Sequence, residues 1–401
     1  YNIADPGREI EDLVVREAKV FREKHAIDLR LEHQANSIDR ENKLVKGSKE
    51  QGEGFEIAYD KLVIASGASP KIPEIQGIKQ EGVMPLKSLE DGRAIKSYIT
   101  AKSVSSVVIL GMGYIAMEMA EALKRLNMRV VMVKPRSQIL PWLSRDLAET
   151  VKKELQDKEV ELYPGQNIRE IEKTEQGLNV CCEEVEFSCE LVLSATGVVP
   201  NSQIALDAGL EMGPENSIAV DQFLCTSDPD IYAAGDCSDA YHVVSRDKTW
   251  IPLALWANRG GRSAADNIYG KNLRMQGVAG TAVFKVFDLE VAKTGLSHSE
   301  AVEQDFDPVE VNIKSRSRAH NHPGAKTIQV SMLGDRNTGQ LLGAQMLGAE
   351  GCAHRINAAA VALHNEMRVD DFWQCDLSYA PPFGPVWDPL LTAANELSKQ
   401  L

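Results

Sequence analysis

The apolar run Val107-Val-Ile-Leu110 enters Gly111-Met-Gly113-Tyr-Ile-Ala116-Met-Glu118 and then a helical pattern. Small residues at this spacing, between a strand and a helix, are what a dinucleotide pyrophosphate requires. The first glycine permits the tight turn and the second lets a phosphate approach the backbone. The small third residue lets helix and strand pack closely. Free N–H groups at the helix start would face the phosphates. Ile115, Met119, Leu123 and Leu126 fall on one helix face, as a packed helix needs. A ligand-free turn is the plain alternative, but the flanking strand and helix favour a nucleotide.

About twenty residues on, a NAD site usually places an acid on the ribose 2′-hydroxyl. This chain has Val133-Lys134-Pro135-Arg136 there. Lys134 and Arg136 suit a 2′-phosphate, so NADPH is expected over NADH; the competing view makes them solvated loop charges. The seven cysteines offer no comparable centre. Cys181, Cys182 and Cys189 lack Cys-x-x-Cys spacing and a nearby histidine, which argues against a metal site or dithiol. Asn179–Glu184 is short for a hairpin. Cys225, Cys237, Cys352 and Cys375 have apolar or glycine-rich neighbours and suit packing. His320 and His322 would share one face of a strand, but no third ligand is evident and no metal is expected.

Elements that could position these residues follow from periodicity. A charged helix carrying Ile10, Leu13, Val14, Ala18 and Phe21 precedes a short strand at 28–31, and 43–54 resembles a hairpin tip. Buried-strand runs at 61–65, 104–110, 129–133, 191–195 and 230–234 alternate with a helix that follows the glycine cluster and reaches about Leu126, and with helices at 147–158 and 253–268. That order predicts parallel, doubly wound sheets. Beyond Gly277 the texture changes to β-type runs at 282–287, 309–313, 327–333 and 340–348, then a helix at 353–366 and an aromatic, proline-rich tail. The expected divisions are 1–103, 104–218, 219–276 and 277–401.

The 401 residues carry 44 basic and 58 acidic side chains, a net charge of −14. Acidity of this degree argues against a nucleic-acid surface. No run approaches the roughly 20 apolar residues of a membrane span. The lack of a leader pattern and the low cysteine density lead us to expect a cytoplasmic protein.

Taken in order, these pieces resemble the FAD-dependent pyridine nucleotide–disulfide oxidoreductases. Tyr59-Asp-Lys-Leu-Val-Ile-Ala-Ser-Gly67 resembles that family's first strand–turn, Gly111–Glu118 its nicotinamide site, and Ala195-Thr-Gly197 its second strand–turn. Thr226-Ser-Asp-Pro-Asp-Ile-Tyr-Ala-Ala-Gly-Asp236 resembles the segment whose Asp meets the FAD ribityl chain. The tail Asp376-Leu-Ser-Tyr-Ala-Pro-Pro-Phe-Gly-Pro-Val-Trp-Asp388 is similar to the coenzyme A disulfide reductase and NADH oxidase branch.

The resemblance implies an α/β fold with two doubly wound dinucleotide-binding domains, the FAD one incomplete at its N-terminus, and a C-terminal α+β dimerisation domain. It implies FAD contacts at Ala65, Ser66, Gly67, Gly235, Asp236, Leu253 and Ala254. NAD(P)H contacts would come from Gly111, Gly113, Tyr114, Ile115, Ala116, Lys134, Arg136 and Gly197. Tyr114 would be the aromatic lid over the flavin. Glu118 would orient the carboxamide or pair with a lysine near the flavin, and Tyr379 would reach a homodimer partner's site.

The family's opening FAD turn and Ser-Phe-x-x-Cys segment are not in the sequence; Tyr1-Asn-Ile resembles the residues just after that cysteine. Asn321-His322 stands where the branch's disulfide reductases have Tyr-Tyr before Pro-Gly, which weakens coenzyme A disulfide as the specific substrate. The expected activity is hydride passage from NAD(P)H through flavin and a redox cysteine to a small disulfide or persulfide. NADH oxidase or peroxidase chemistry, with oxygen or peroxide as acceptor, and a non-catalytic dinucleotide-binding redox sensor are the alternatives.

Overall fold

A computed structural model describes residues 2–5, 7–50 and 52–401. Tyr1, part of the N-terminal resemblance, lies outside the described residues. The glycine turn belongs to a five-stranded sheet in the order Val83–Pro85, Leu191–Ser194, Ser106–Leu110, Arg129–Lys134, Val160–Pro164. All neighbours are parallel. Val107–Leu110 is fully buried because the sheet is covered on both faces, which is why the strand reads as a continuous apolar run. The helix Tyr114–Arg125 packs Ala116, Met117, Met119, Ala120 and Leu123 into this core. Ile115 is not on the packed face: it is 38% exposed, because it sits in the first turn at a cavity mouth.

A second parallel pair joins Leu62–Ile64 to Ile231–Ala233. Its register brings the C-terminal ends of both strands side by side, and the Ala234 N–H bonds the Ile64 carbonyl at 3.0 Å. The helix Ala254–Ile268 starts there, with the Ala257 methyl 3.8 Å from where a Cβ on Gly235 would stand. Beyond Gly280, five antiparallel strands run in the order Ala282–Val286, Leu289–Gly295, Leu341–Gly348, Thr327–Asp335, Pro308–Arg316. The helices Cys352–His364 and Pro389–Ser398 bury Ile356, Leu363, Leu390 and Leu397 against this sheet.

Several sequence expectations are corrected. The charged helix before Asn36 is two separate turns, Ile10–Leu13 and Val20–Lys24; no strand forms at 28–31, and the first strand is His33–Asp39. Residues 43–54 contain the strand Leu44–Lys49, the middle of an antiparallel three-stranded sheet, because Gly54–Ala58 supplies a third partner. Leu289–Gly295 was missed since Glu290, Lys293 and Thr294 interrupt its apolar pattern. His320 and His322 lie in turns after the Pro308–Arg316 strand ends, so no strand aligns them. Asn179–Glu184 is part of a closed hairpin, Gly177–Cys182 with Glu186–Cys189, tied by the Cys182 N–H to the Val185 carbonyl at 2.9 Å. Strand alternation buries Cys182 and turns Cys181 to the other face of the hairpin.

Candidate functional site

Gly111 has φ +116°, and a Cβ there would stand 2.3 Å from the Ala195 carbonyl oxygen. Only glycine lets the turn after Leu110 pass so close to the Leu191–Ser194 strand end. A Cβ on Gly113 would meet nothing within 4 Å. Open space therefore lies above the helix start, where the first-turn N–H groups have no intrahelical acceptor. Ala116 is fully buried beneath the turn.

This space is one end of a cavity of about 1110 Å³. Gly111, Gly113, Tyr114, Ile115, Lys134, Arg136, Gly197 and Leu253 all line it, as does Lys293 from the C-terminal domain. Lys134 donates to the Gln138 carbonyl at 2.8 Å. Burial, and then repulsion from Arg136, push the Lys134 ammonium pKa down. Among the described residues no carboxylate makes an ion pair with either cation, so an incoming anion would relieve their repulsion. Tyr114 packs tilted against Phe284 and edge-on to Trp142, at ring separations of 4.9 and 5.6 Å. Burial pushes its hydroxyl up to about 12, so it stays a neutral donor.

Facing Tyr114 are Lys293, Glu300 and His242, which nothing in the sequence marked. The Lys293 ammonium stands 4.9 Å from the Trp142 ring centroid and is held low by burial. Burial alone would raise the Glu300 carboxyl, but Lys293 and bonds from Ser297 outweigh it and hold it low. Burial takes His242 down to about 4. Its Nδ1 accepts from the Val244 and Ser245 N–H groups, the pattern of a neutral ring.

Of the flavin-site candidates Leu253 lines that cavity, and the others gather outside it. Ala65, Ser66 and Gly67 follow one parallel strand, Gly235 and Asp236 the other, and Leu253 and Ala254 begin the helix beside them. A crevice at parallel strand ends, next to a helix start, is where α/β folds place nucleotides. Asn201 pins the first turn by donating its side-chain amide to the Ser66 carbonyl at 2.9 Å. Asp236 is half-buried rather than fully buried, and Lys87 approaches its carboxylate to 2.8 Å. Glu118 is half-buried on the helix but does not line the large cavity. Tyr379 is half-exposed on the C-terminal tail and is likewise absent from its lining.

Among the described residues none of the seven cysteines lines the cavity, and all are free. Burial raises the thiols of Cys182 to about 11 and of Cys189 and Cys352 to about 12. Such thiols stay protonated at neutral pH and are poor nucleophiles. No group of three metal-binding side chains is found, and no helix is long and apolar enough to cross a membrane, among the described residues.

A glycine turn opening on a cavity, a second pair of parallel strand ends and a separate antiparallel domain fit a flavin- and nicotinamide-dependent oxidoreductase, and comparison with known proteins agrees. Residues 2–261 match the pyridine nucleotide–disulphide oxidoreductase family and residues 281–389 its dimerisation domain, so the chain belongs to that family. The CoA-dependent NAD(P)H sulfur oxidoreductase of Pyrococcus furiosus is 37% identical over 388 residues, 96% of this chain and 87% of that protein. A NADH oxidase of Methanocaldococcus jannaschii is 33% identical, over 100% of this chain and 89% of its own length. The solved structure of a NAD-dependent persulfide reductase from A. fulgidus superposes with a TM-score of 0.96 at 34% identity, covering 100% of this chain and 75% of that one.

Proposed function

We propose that this chain carries reducing equivalents from NADPH through FAD to a small disulfide or persulfide, with a cysteine other than its seven as the thiol centre. The observation that carries the reading is the cavity itself: it runs from the glycine turn and two cations without an ion-pair partner among the described residues to Tyr114 and the C-terminal domain. Gly111, Gly113, Ile115 and Gly197 offer backbone to the pyrophosphate, over Ala116, and Lys134 and Arg136 receive the 2′-phosphate. Tyr114 covers the reacting face and excludes water until nicotinamide displaces it. Glu118, one turn along, orients the carboxamide. Ala65, Ser66, Gly67, Gly235, Leu253 and Ala254 bound the FAD crevice, and Asp236 accepts from ribityl hydroxyls. Bound FAD supplies hydride acceptance and two-electron transfer. The protein works as a cytoplasmic homodimer, and Tyr379 of one subunit holds a proton near the leaving thiol of the other.

The names of the P. furiosus and A. fulgidus proteins support a sulfur acceptor. Asn321-His322 in the C-terminal domain favours a persulfide over coenzyme A disulfide. The 33% identical NADH oxidase supports the second reading, with oxygen as acceptor. Anaerobic NADPH oxidation by the flavin-loaded enzyme, with coenzyme A persulfide and coenzyme A disulfide, should outrun oxygen consumption in air. The reverse order would establish the oxidase reading.

A further inference from the structure

The strand Leu341–Gly348 is buried along its whole length, and one polar side chain interrupts it: Gln345, 8% exposed. A buried amide is costly unless both of its ends are bonded. Gln345 meets that need outside its own domain. Its Nε2 donates to the Trp142 carbonyl at 2.7 Å, and its Oε1 accepts the Ser144 N–H at 2.7 Å. Directly opposite in the sheet register is Lys293. Its ammonium lies 4.9 Å from the centroid of the same Trp142 ring.

The two cross-strand neighbours thus grip one loop, residues 135–144, which carries Arg136 and receives the Lys134 bond at Gln138. The first half of that loop is exposed. Ordering such a segment costs conformational entropy at each residue, and a grip at its far end offsets part of that cost.

We propose that Gln345 and Lys293 are positioning residues for nucleotide selection: the C-terminal sheet holds the 135–144 loop so that Lys134 and Arg136 are presented to a 2′-phosphate. The inference rests on the NADPH reading above. An interdomain adhesive with no part in selection would weaken every nucleotide alike; a positioning grip acts on the 2′-phosphate alone.

Calorimetric binding of adenosine 2′,5′-bisphosphate and of AMP to the full-length flavin-loaded protein separates these. The native protein should prefer the bisphosphate by tenfold or more. Gln345→Leu should reduce that preference about fivefold, the share of one hydrogen bond, with AMP affinity held within about twofold. Lys293→Met, which keeps the aliphatic stem, should act in the same direction and decides the matter if Gln345→Leu does not fold. In a background carrying both Lys134→Ala and Arg136→Ala neither change should alter the ratio further. A native preference that both variants retain overturns the proposal, as does an equal loss of AMP and bisphosphate binding. A native ratio near one overturns the NADPH reading itself, and this inference with it.

Discussion

The Lys87 ammonium lies 2.8 Å from the Asp236 carboxylate, joining the segment before the Leu89–Lys102 helix to the end of the Ile231–Ala233 strand. Trp250 donates its indole N–H to the Asp236 carbonyl at 2.9 Å, so the backbone is held as well as the side chain. A carboxylate secured in this way at two parallel strand ends is preorganised to accept hydroxyl donors. Asp236→Ala should purify with much less FAD, since one charge-assisted bond contributes about 1.5–3 kcal/mol, tenfold or more in affinity. Asp236→Asn should fall between. The flavin-to-protein absorbance ratio measures this, and full occupancy in Asp236→Ala would remove Asp236 from the site.

The glycine turn that opens the cavity was legible because its signals are local. Gly111, Gly113 and Ala116 are set by backbone geometry within one turn, and the cations follow at the end of the next strand. The adjoining strand ends at Ala65–Gly67 and Gly235–Asp236 were picked out by resemblance, residue by residue. Trp142, His242, Lys293, Glu300 and Gln345 were not legible. Each acts across a domain boundary, and a single Gln in an apolar run gives no sign of the loop it bonds. The early region was misread because Ile10, Leu13 and Phe21 have helical spacing, yet Val14 and Val15 are exposed and no sheet covers that face.

The C-terminal tail leaves Phe383 78% and Val386 68% exposed beside the stacked pair Trp373 and Trp387. Rigid apolar side chains gathered in this way are what an interface buries. Sedimentation at micromolar concentration should give a dimer, and Phe383→Asp with Val386→Asp should give monomers. Tyr379→Phe should lower disulfide or persulfide turnover about a hundredfold, the usual range for a proton donor, while NADPH still bleaches the flavin. A monomeric native protein would refute the arrangement.

His242 makes stability depend on pH. Its folded value of about 4 lies below the ordinary histidine value of 6.5, chiefly because it is buried, with Lys293 and His364 opposing protonation and Glu300 favouring it. Below about 6.5 the unfolded chain takes up a proton that the native ring refuses. The stabilisation is therefore full above 6.5 and is lost as pH falls toward 4, on the order of 3 kcal/mol in all. Thermal unfolding should show Tm falling across that window, and His242→Gln, which retains an acceptor for the Val244 N–H, should flatten the fall. An unchanged slope in that variant would assign the loss to other groups.

The account depends most on which nucleotide the cavity accepts. Lys134 and Arg136 stand where an acid would repel a 2′-phosphate, and the described residues give neither an ion-pair partner. One charge-assisted bond from either is enough for a tenfold preference. The direct measurement is the rate of flavin bleaching, under anaerobic conditions, by NADPH and by NADH at equal subsaturating concentration. NADPH should be faster by at least about tenfold, and Lys134→Glu with Arg136→Ala should reverse the order. Faster bleaching by NADH in the native enzyme would show that Lys134 and Arg136 are solvated loop charges and would contradict the account.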